Sequence, residues 1–244
     1  MTRKTIFYFT SSYPDHKELL PFIRAIDGEV VKYVEIGLPS RNPVYDGPHI
    51  RKTHSDALKN FDFSHLEEYG KILTHKGVKP YLLAYYDDFV ERGETFIDDL
   101  ETAGFSGLLI PDLLVDYAGK AESTIASVQR KLEFIPFFNP ATPDAIVSRI
   151  SGMTHSWIYY GLQPSTGIEI PYDLVEVSAR IRELLPDREV NFGFGIRNMK
   201  QVREILNLGS DGVAIGTLII PMITNGDTEG FVQLQRELSE VAAG

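Results

Sequence analysis

Two carboxylates eleven positions apart in the sequence stand in unlike surroundings. Glu35 lies within an apolar run of Val, Tyr and Ile residues, and Asp46 follows in a loop punctuated by Gly and Pro. A carboxylate in a buried strand is costly unless it is paired or functional. Two carboxylates in different environments can hold one acid and one base at neutral pH. The pair therefore indicates proton-transfer chemistry. The alternative is a strand-end Glu that pairs locally, followed by an ordinary Asp-Gly turn.

Three glycine-containing loops later in the chain are typical of an anion site. They contain Thr166 with Gly167, the segment 193–195, and Gly216 with Thr217. Glycines let backbone N–H groups approach an anion, and the two threonine hydroxyls are further donors. A short helix predicted to begin near Gly216 would add the positive end of its dipole. Together the loops predict a phosphate-binding site.

Composition and motifs exclude several other classes of function. A net charge of -10 argues against a nucleic-acid surface, and the absence of cysteine excludes thiolate metal sites and a cysteine nucleophile. No Gly-Lys-Ser/Thr nucleotide loop is present, and Gly193-Phe-Gly-Ile-Arg-Asn198 lacks the third glycine of a dinucleotide fingerprint. No apolar run approaches the ~20 residues of a membrane helix. We therefore expect a soluble, cytoplasmic protein that binds neither nucleic acid nor membrane.

The histidines do not predict a metal site. No two of them have the i, i+4 spacing of metal-binding helices. We expect each to be a surface or capping residue; they are His16, His49, His54, His65, His75 and His155.

The candidate residues follow short apolar segments that read as strands. Eight such segments are each followed by a stretch with helical spacing: 5–9, 31–36, 79–83, 107–110, 133–138, 156–160, 189–192 and 212–215. Strands separated by helices imply βαβ units and a parallel sheet. Eight units match a (β/α)8 TIM barrel, and we predict a single α/β barrel domain over residues 1–244, with a doubly wound open sheet as the alternative. In a barrel the active site lies at the C-terminal ends of the strands, so the carboxylates and the glycine loops are expected at one mouth.

Residues near the predicted helix ends allow further predictions. Ser64 and Glu67 fit a capping box, and Thr142 with Pro143 fits an N-cap followed by a first helical residue. One helix is predicted over residues 91–103.

The chain resembles the α subunit of tryptophan synthase over nearly its whole length, particularly the shortened archaeal form. The most specific anchors are Glu35-Ile-Gly-Leu-Pro39 and Asp46-Gly-Pro48; Gly193-Phe-Gly-Ile196 and Ala214-Ile-Gly-Thr217 are shared by many phosphate-binding barrels. That family cleaves indole-3-glycerol phosphate to indole and glyceraldehyde 3-phosphate in a retro-aldol step. The resemblance implies a carbon-carbon lyase of tryptophan biosynthesis that needs no cofactor of its own. It also implies a β-type partner subunit that holds pyridoxal phosphate and receives the indole.

The resemblance further implies roles for individual residues. Glu35 matches the general acid and base, and Asp46 matches the carboxylate that stabilises positive charge at the indole nitrogen. Residues that match the lining of the substrate pocket are Tyr8, Leu83, Tyr85, Leu109, Tyr159 and Phe194. Residues that match the phosphate cradle are Thr166, Gly167, Gly195, Gly216 and Thr217.

Two other functions remain open from the sequence. One is another phosphate-binding barrel enzyme, such as an isomerase or transferase that acts on a phosphorylated small molecule. The other is a non-catalytic regulatory subunit that keeps the pocket. A departure from the common bacterial pattern lies between the carboxylates, where Ser40-Arg-Asn-Pro43 replaces the usual Phe-Ser-Asp-Pro.

Overall fold

The strands of this protein are short and pair only in parallel. The computed structural model describes residues 3–162, 173–193 and 195–243. Its strands within those ranges are β1 (Lys4–Thr10), β2 (Val31–Gly37), β3 (Lys79–Leu83), β4 (Gly107–Leu109), β5 (Glu133–Ile135), β6 (Phe137–Phe138), β7 (Ile158–Gly161), β8 (Val190–Gly193) and β9 (Gly212–Ile215). They form one sheet in the order β5-β4-β3-β2-β1-β9-β8-β7-β6.

The sheet closes on itself at Pro136. The two strands at the ends of the order, β5 and β6, are consecutive pieces of one extended segment that only Pro136 interrupts. Proline has no N–H to donate to a ladder, but its carbonyl still accepts the N–H of Tyr159 at 2.9 Å. The predicted eight-stranded barrel is thus confirmed, with its fifth strand split in two, and the open sheet is excluded.

Helices separate successive strands and surround the sheet. They are α1 (His16–Arg24), α2 (Pro48–Ala57), α3 (Phe63–His75), α4 (Tyr86–Glu91), α5 (Phe96–Thr102), α6 (Ala121–Val128), α7 (Asp144–Met153), α8 (Leu174–Leu184), α9 (Met199–Asn207), α10 (Ile220–Asn225) and α11 (Thr228–Ala243), with a 3-10 turn at Ala118–Lys120. None of those within the described ranges is long and apolar enough to cross a bilayer.

Alternation along each strand divides the core in two. Outward-facing residues such as Phe7, Phe9 and Val34 pack against the helices in one large buried cluster. Inward-facing residues fill the barrel interior as a second cluster: Ile6, Tyr81, Leu109, Ile135, Phe137, Trp157, Tyr159 and Ala214. Because side chains alternate between the two faces of a strand, the residue two positions after an inward-facing residue also faces inward. This periodicity places Tyr8 beside Ile6 on the inner face, next to the site.

Three predicted helix features are wrong, each because a nearby group supplies a better boundary. The helix predicted over 91–103 is shorter: α4 ends at Glu91, Gly93 takes a left-handed backbone with φ of +83°, and α5 begins only at Phe96. Asp62, not Ser64, is the N-cap of α3, and its carboxylate accepts the N–H of Ser64 at 2.8 Å. Helix α7 begins at Asp144, one residue later than predicted, because the Thr142 hydroxyl accepts the N–H of Asn139 instead.

Candidate active site

Strand β2 carries Glu35 into the barrel. Glu35 pairs in register with Tyr8 on one side and Tyr81 on the other, and it is 1% exposed. Among the residues that the structure describes, no group hydrogen-bonds its Oε1. Burial, aided by the negative charge of Asp46, raises the pKa of Glu35 from 4.5 to about 8. This carboxyl group is therefore a proton donor at neutral pH.

The loop after β2 holds Asp46 in place through its backbone. The Asp46 N–H donates to the carbonyl of Pro43 at 3.1 Å, and the Asp46 carbonyl accepts from Arg51 Nε at 2.6 Å. Arg51 also donates to the carbonyl of Val44 at 2.8 Å. Because Arg51 lies on α2, which begins two residues after Asp46, the loop and the helix form one unit.

Tyr85 fixes the orientation of the Asp46 carboxylate. Tyr85 lies two residues after β3. Its hydroxyl donates to Asp46 Oδ2 at 2.8 Å and accepts the N–H of Tyr45 at 3.2 Å. Burial and the charge of Asp46 raise the pKa of Tyr85 well above its ordinary value. The phenol therefore keeps its proton and remains a donor to the carboxylate.

His54 is a site residue that the sequence reading missed. It was expected to be a surface or capping residue, but the structure buries it completely. Its Nε2 lies 3.0 Å from the Tyr8 hydroxyl and 3.4 Å from Asp46 Oδ2, while its Nδ1 accepts the N–H of Ser40 at 3.0 Å. One signal was available: His54 lies four residues after Ile50 on the buried face of α2.

One pocket gathers the predicted residues that the structure describes. These are Tyr8, Glu35, Asp46, Leu83, Tyr85, Leu109, Tyr159, Gly195, Gly216 and Thr217. Residues of the same lining that were not predicted are Tyr45, Ile50, Pro111, Phe137, Ile196 and Ala214. The shared pocket fixes the places of these residues, while their roles remain predictions.

The predicted phosphate side is only partly within the described residues. Gly195, Gly216 and Thr217 line the pocket, whereas Thr166, Gly167 and Phe194 lie outside the residues that the structure describes. The helix expected near Gly216 begins instead at Ile220. Its start is delayed because residues 216–219 form a turn, in which the N–H of Ile219 donates to the carbonyl of Gly216 at 3.0 Å. Gly216 and Thr217 of this turn, rather than a helix end, line the pocket.

Known sequences resemble this chain from end to end. A sequence profile of the tryptophan synthase alpha chain matches residues 2–243. The tryptophan synthase alpha chain of Saccharolobus solfataricus is 30% identical over 242 residues, which are 99% of this chain and 97% of that protein.

Solved structures also resemble this chain over nearly its full length. A variant of the tryptophan synthase alpha-subunit from the hyperthermophile Pyrococcus furiosus superposes with a TM-score of 0.82 at 26% identity, over 98% of this chain and 99% of that chain. The aminoacrylate-bound form of tryptophan synthase from M. tuberculosis gives a TM-score of 0.83 at 23% identity, over 99% of this chain and 94% of that chain. The second similarity concerns the fold alone.

Proposed function

The chain belongs to the tryptophan synthase alpha chain family, and from this membership we propose that Glu35 and Asp46 perform the family's lyase reaction. That reaction cleaves indole-3-glycerol phosphate to indole and glyceraldehyde 3-phosphate in tryptophan biosynthesis. The observation that carries the assignment is Glu35 itself: a buried carboxyl group with a pKa of about 8 and an Oε1 that no described residue engages, in a pocket with a second carboxylate.

In the first step, Glu35 donates its proton to C3 of the indole ring, which carries the glycerol phosphate chain. The ring becomes a cation, with its positive charge centred on the nitrogen. Asp46, oriented by Tyr85, stabilises that charge. Protonation thus weakens the bond between C3 and the side chain.

In the second step, Glu35, now a carboxylate, removes the proton from the hydroxyl on the carbon attached to C3. The carbon-carbon bond breaks, its electrons restore the aromatic indole, and the hydroxyl carbon becomes the aldehyde of glyceraldehyde 3-phosphate. Glu35 ends the cycle protonated, so no other proton donor is required. One carboxyl group can serve twice because burial and the charge of Asp46 bring its pKa near the working pH.

The glycine loops anchor the substrate at its phosphate. Gly195, Gly216 and Thr217 share the pocket with both carboxylates, and Thr166 and Gly167 complete the proposed cradle. Leu83, Leu109, Tyr159 and Phe194 are proposed to surround the indole. Binding energy from the phosphate then positions C3 against Glu35.

The proposed reaction uses only side chains of this protein, so we propose that the chain needs no metal or cofactor. Its partner is a tryptophan synthase β-type subunit, which holds pyridoxal phosphate and receives the indole. We propose a cytoplasmic location from this biosynthetic role. We also propose one barrel domain for residues 1–244, since the sheet is continuous from Lys4 to Ile215. Cell fractionation and a single cooperative unfolding transition would test these two points.

The assay that tests the function measures indole released from indole-3-glycerol phosphate, with and without β subunits. We expect release by the wild-type chain and faster release with a matching β subunit. Tight binding of a substrate analogue without any release, whatever β subunit is added, would show a non-catalytic subunit instead.

A further inference from the structure

We propose that His54 is a positioning residue for this reaction: its Nε2–H holds the Tyr8 hydroxyl by a hydrogen bond and lies beside the Asp46 carboxylate, whose negative charge it supports. The inference rests on the proposed function, because Asp46 matters only if it stabilises charge on the substrate. It depends on three contacts that His54 makes from a fully buried position.

The contact with Ser40 determines which ring nitrogen carries the proton. A backbone N–H can only donate, so His54 Nδ1, which lies 3.0 Å from the Ser40 nitrogen, must be an acceptor. In the neutral imidazole the proton then resides on Nε2. The loop between the two catalytic carboxylates thereby fixes the histidine tautomer, and the histidine in turn fixes Ser40.

The protonated nitrogen points toward the site. Nε2 is 3.0 Å from the Tyr8 hydroxyl, to which its N–H donates, and 3.4 Å from Asp46 Oδ2, which is a close electrostatic contact. The Tyr85 hydroxyl reaches the same Oδ2 at 2.8 Å. The Tyr85 hydrogen bond orients the carboxylate, and the His54 N–H beside the same oxygen adds a favourable electrostatic contact. His54 thus supports the charge that Asp46 must present.

The same N–H also holds the ring of Tyr8, which forms part of the pocket wall. The Tyr8 hydroxyl lies over Gly37, where an added Cβ would come within 2.2 Å of it, and the ring passes Gly216 at 3.1 Å from such a Cβ. The hydroxyl also lies 3.3 Å from Thr10 Oγ1. Gly37 and Gly216 make room for the Tyr8 ring, and the His54 contact restrains its hydroxyl.

Two substitutions separate the functions of the two ring nitrogens. Asn is close in shape to the Nδ1 side of His, so His54→Asn keeps an acceptor for Ser40 and loses the donor to Tyr8 and Asp46. Gln reaches to the Nε2 position, so His54→Gln keeps that donor and loses the acceptor. We expect His54→Asn to lower kcat about tenfold, with the KM for indole-3-glycerol phosphate little changed, because the N–H that lies beside the charged Asp46 carboxylate and binds Tyr8 is lost. His54→Gln should recover most of that loss.

The outcomes distinguish this inference from a purely structural role. Equal losses of kcat in both variants, in step with equal losses of unfolding free energy, would mean that His54 only packs the core. Full activity in His54→Asn would overturn the inference while leaving the proposed function intact. Failure of the wild-type chain to release indole under any condition would instead refute the proposed function.

A spectroscopic measurement tests the contact without depending on a variant's activity. Nitrogen-15 NMR of the wild-type imidazoles reports which ring nitrogen is protonated, and the His54→Asn spectrum assigns the signal. We expect a neutral ring protonated on Nε2. A neutral ring protonated on Nδ1 would exclude the hydrogen bond from Ser40, and the inference with it.

Discussion

Replacing Glu35 by Gln keeps the shape of a buried side chain and removes its charge. The pKa of Glu35 is raised in the folded protein from 4.5 to about 8, first by burial and then by Asp46. The unfolded chain releases this proton near pH 4.5, so between the two pKa values the folded state binds one proton more. The contribution to stability is therefore complete below pH 4.5 and is lost as the pH rises to about 8.

The size of this effect follows from the pKa difference. At 1.36 kcal/mol per pH unit, burying the Glu35 carboxyl group costs roughly 3 kcal/mol of unfolding free energy at pH 7 and roughly 5 kcal/mol above pH 8. Glu35→Gln escapes this cost because it does not titrate. The variant should therefore gain stability over the wild type as the pH rises, by several kcal/mol at pH 9 relative to pH 4.5.

Urea unfolding at a series of pH values measures this difference. The matched control is Glu67→Gln, because Glu67 lies exposed on α3 and its ion pair with Lys71 is exposed. That control should stay within about 0.5 kcal/mol of the wild type at every pH. A constant offset between Glu35→Gln and the wild type from pH 4.5 to pH 9 would show that the pKa of Glu35 is not raised.

Three further predictions concern catalysis. The wild-type kcat/KM for indole-3-glycerol phosphate should fall about tenfold per pH unit above pH 8, because Glu35 must begin each cycle protonated; a flat profile to pH 10 would contradict this. Tyr85→Phe removes the hydroxyl that donates to Asp46 Oδ2 and should lower kcat about tenfold, whereas Tyr86→Phe, whose ring packs on Tyr117, should not. Thr217→Val removes a proposed hydrogen-bond donor to the phosphate, so steady-state kinetics should show a raised KM with kcat nearly unchanged. A lowered kcat with an unchanged KM would show that Thr217 does not serve to bind the phosphate.

The sequence predicted the strands and the pocket well because both depend on short-range patterns. Alternation sets which residues of a strand face inward, and parallel strands in a barrel end at one mouth. Glu35 on β2 and the Asp46 loop after it are therefore brought to one mouth by their positions, whereas the family resemblance supplied Leu83 and Leu109. The same reasoning located Gly216 and Thr217 after β9.

What the sequence did not predict depends on contacts between distant residues. His54 is a helical residue with no motif of its own, and its role appears only when Tyr8, Ser40 and Asp46 surround it. Helix boundaries failed for a related reason, since several nearby groups compete for the same backbone donors. Asp62 displaces Ser64 as the cap of α3 because it can accept both the N–H and the hydroxyl of Ser64.

The central claim is that Glu35 moves the protons in a carbon-carbon cleavage. The most direct test measures single-turnover release of indole from indole-3-glycerol phosphate by the wild type and by Glu35→Gln, both with a saturating β subunit. The same experiment records substrate binding by each protein. We predict rapid release by the wild type, and no detectable release by Glu35→Gln although it still binds the substrate. Release by Glu35→Gln at the wild-type rate would contradict the account.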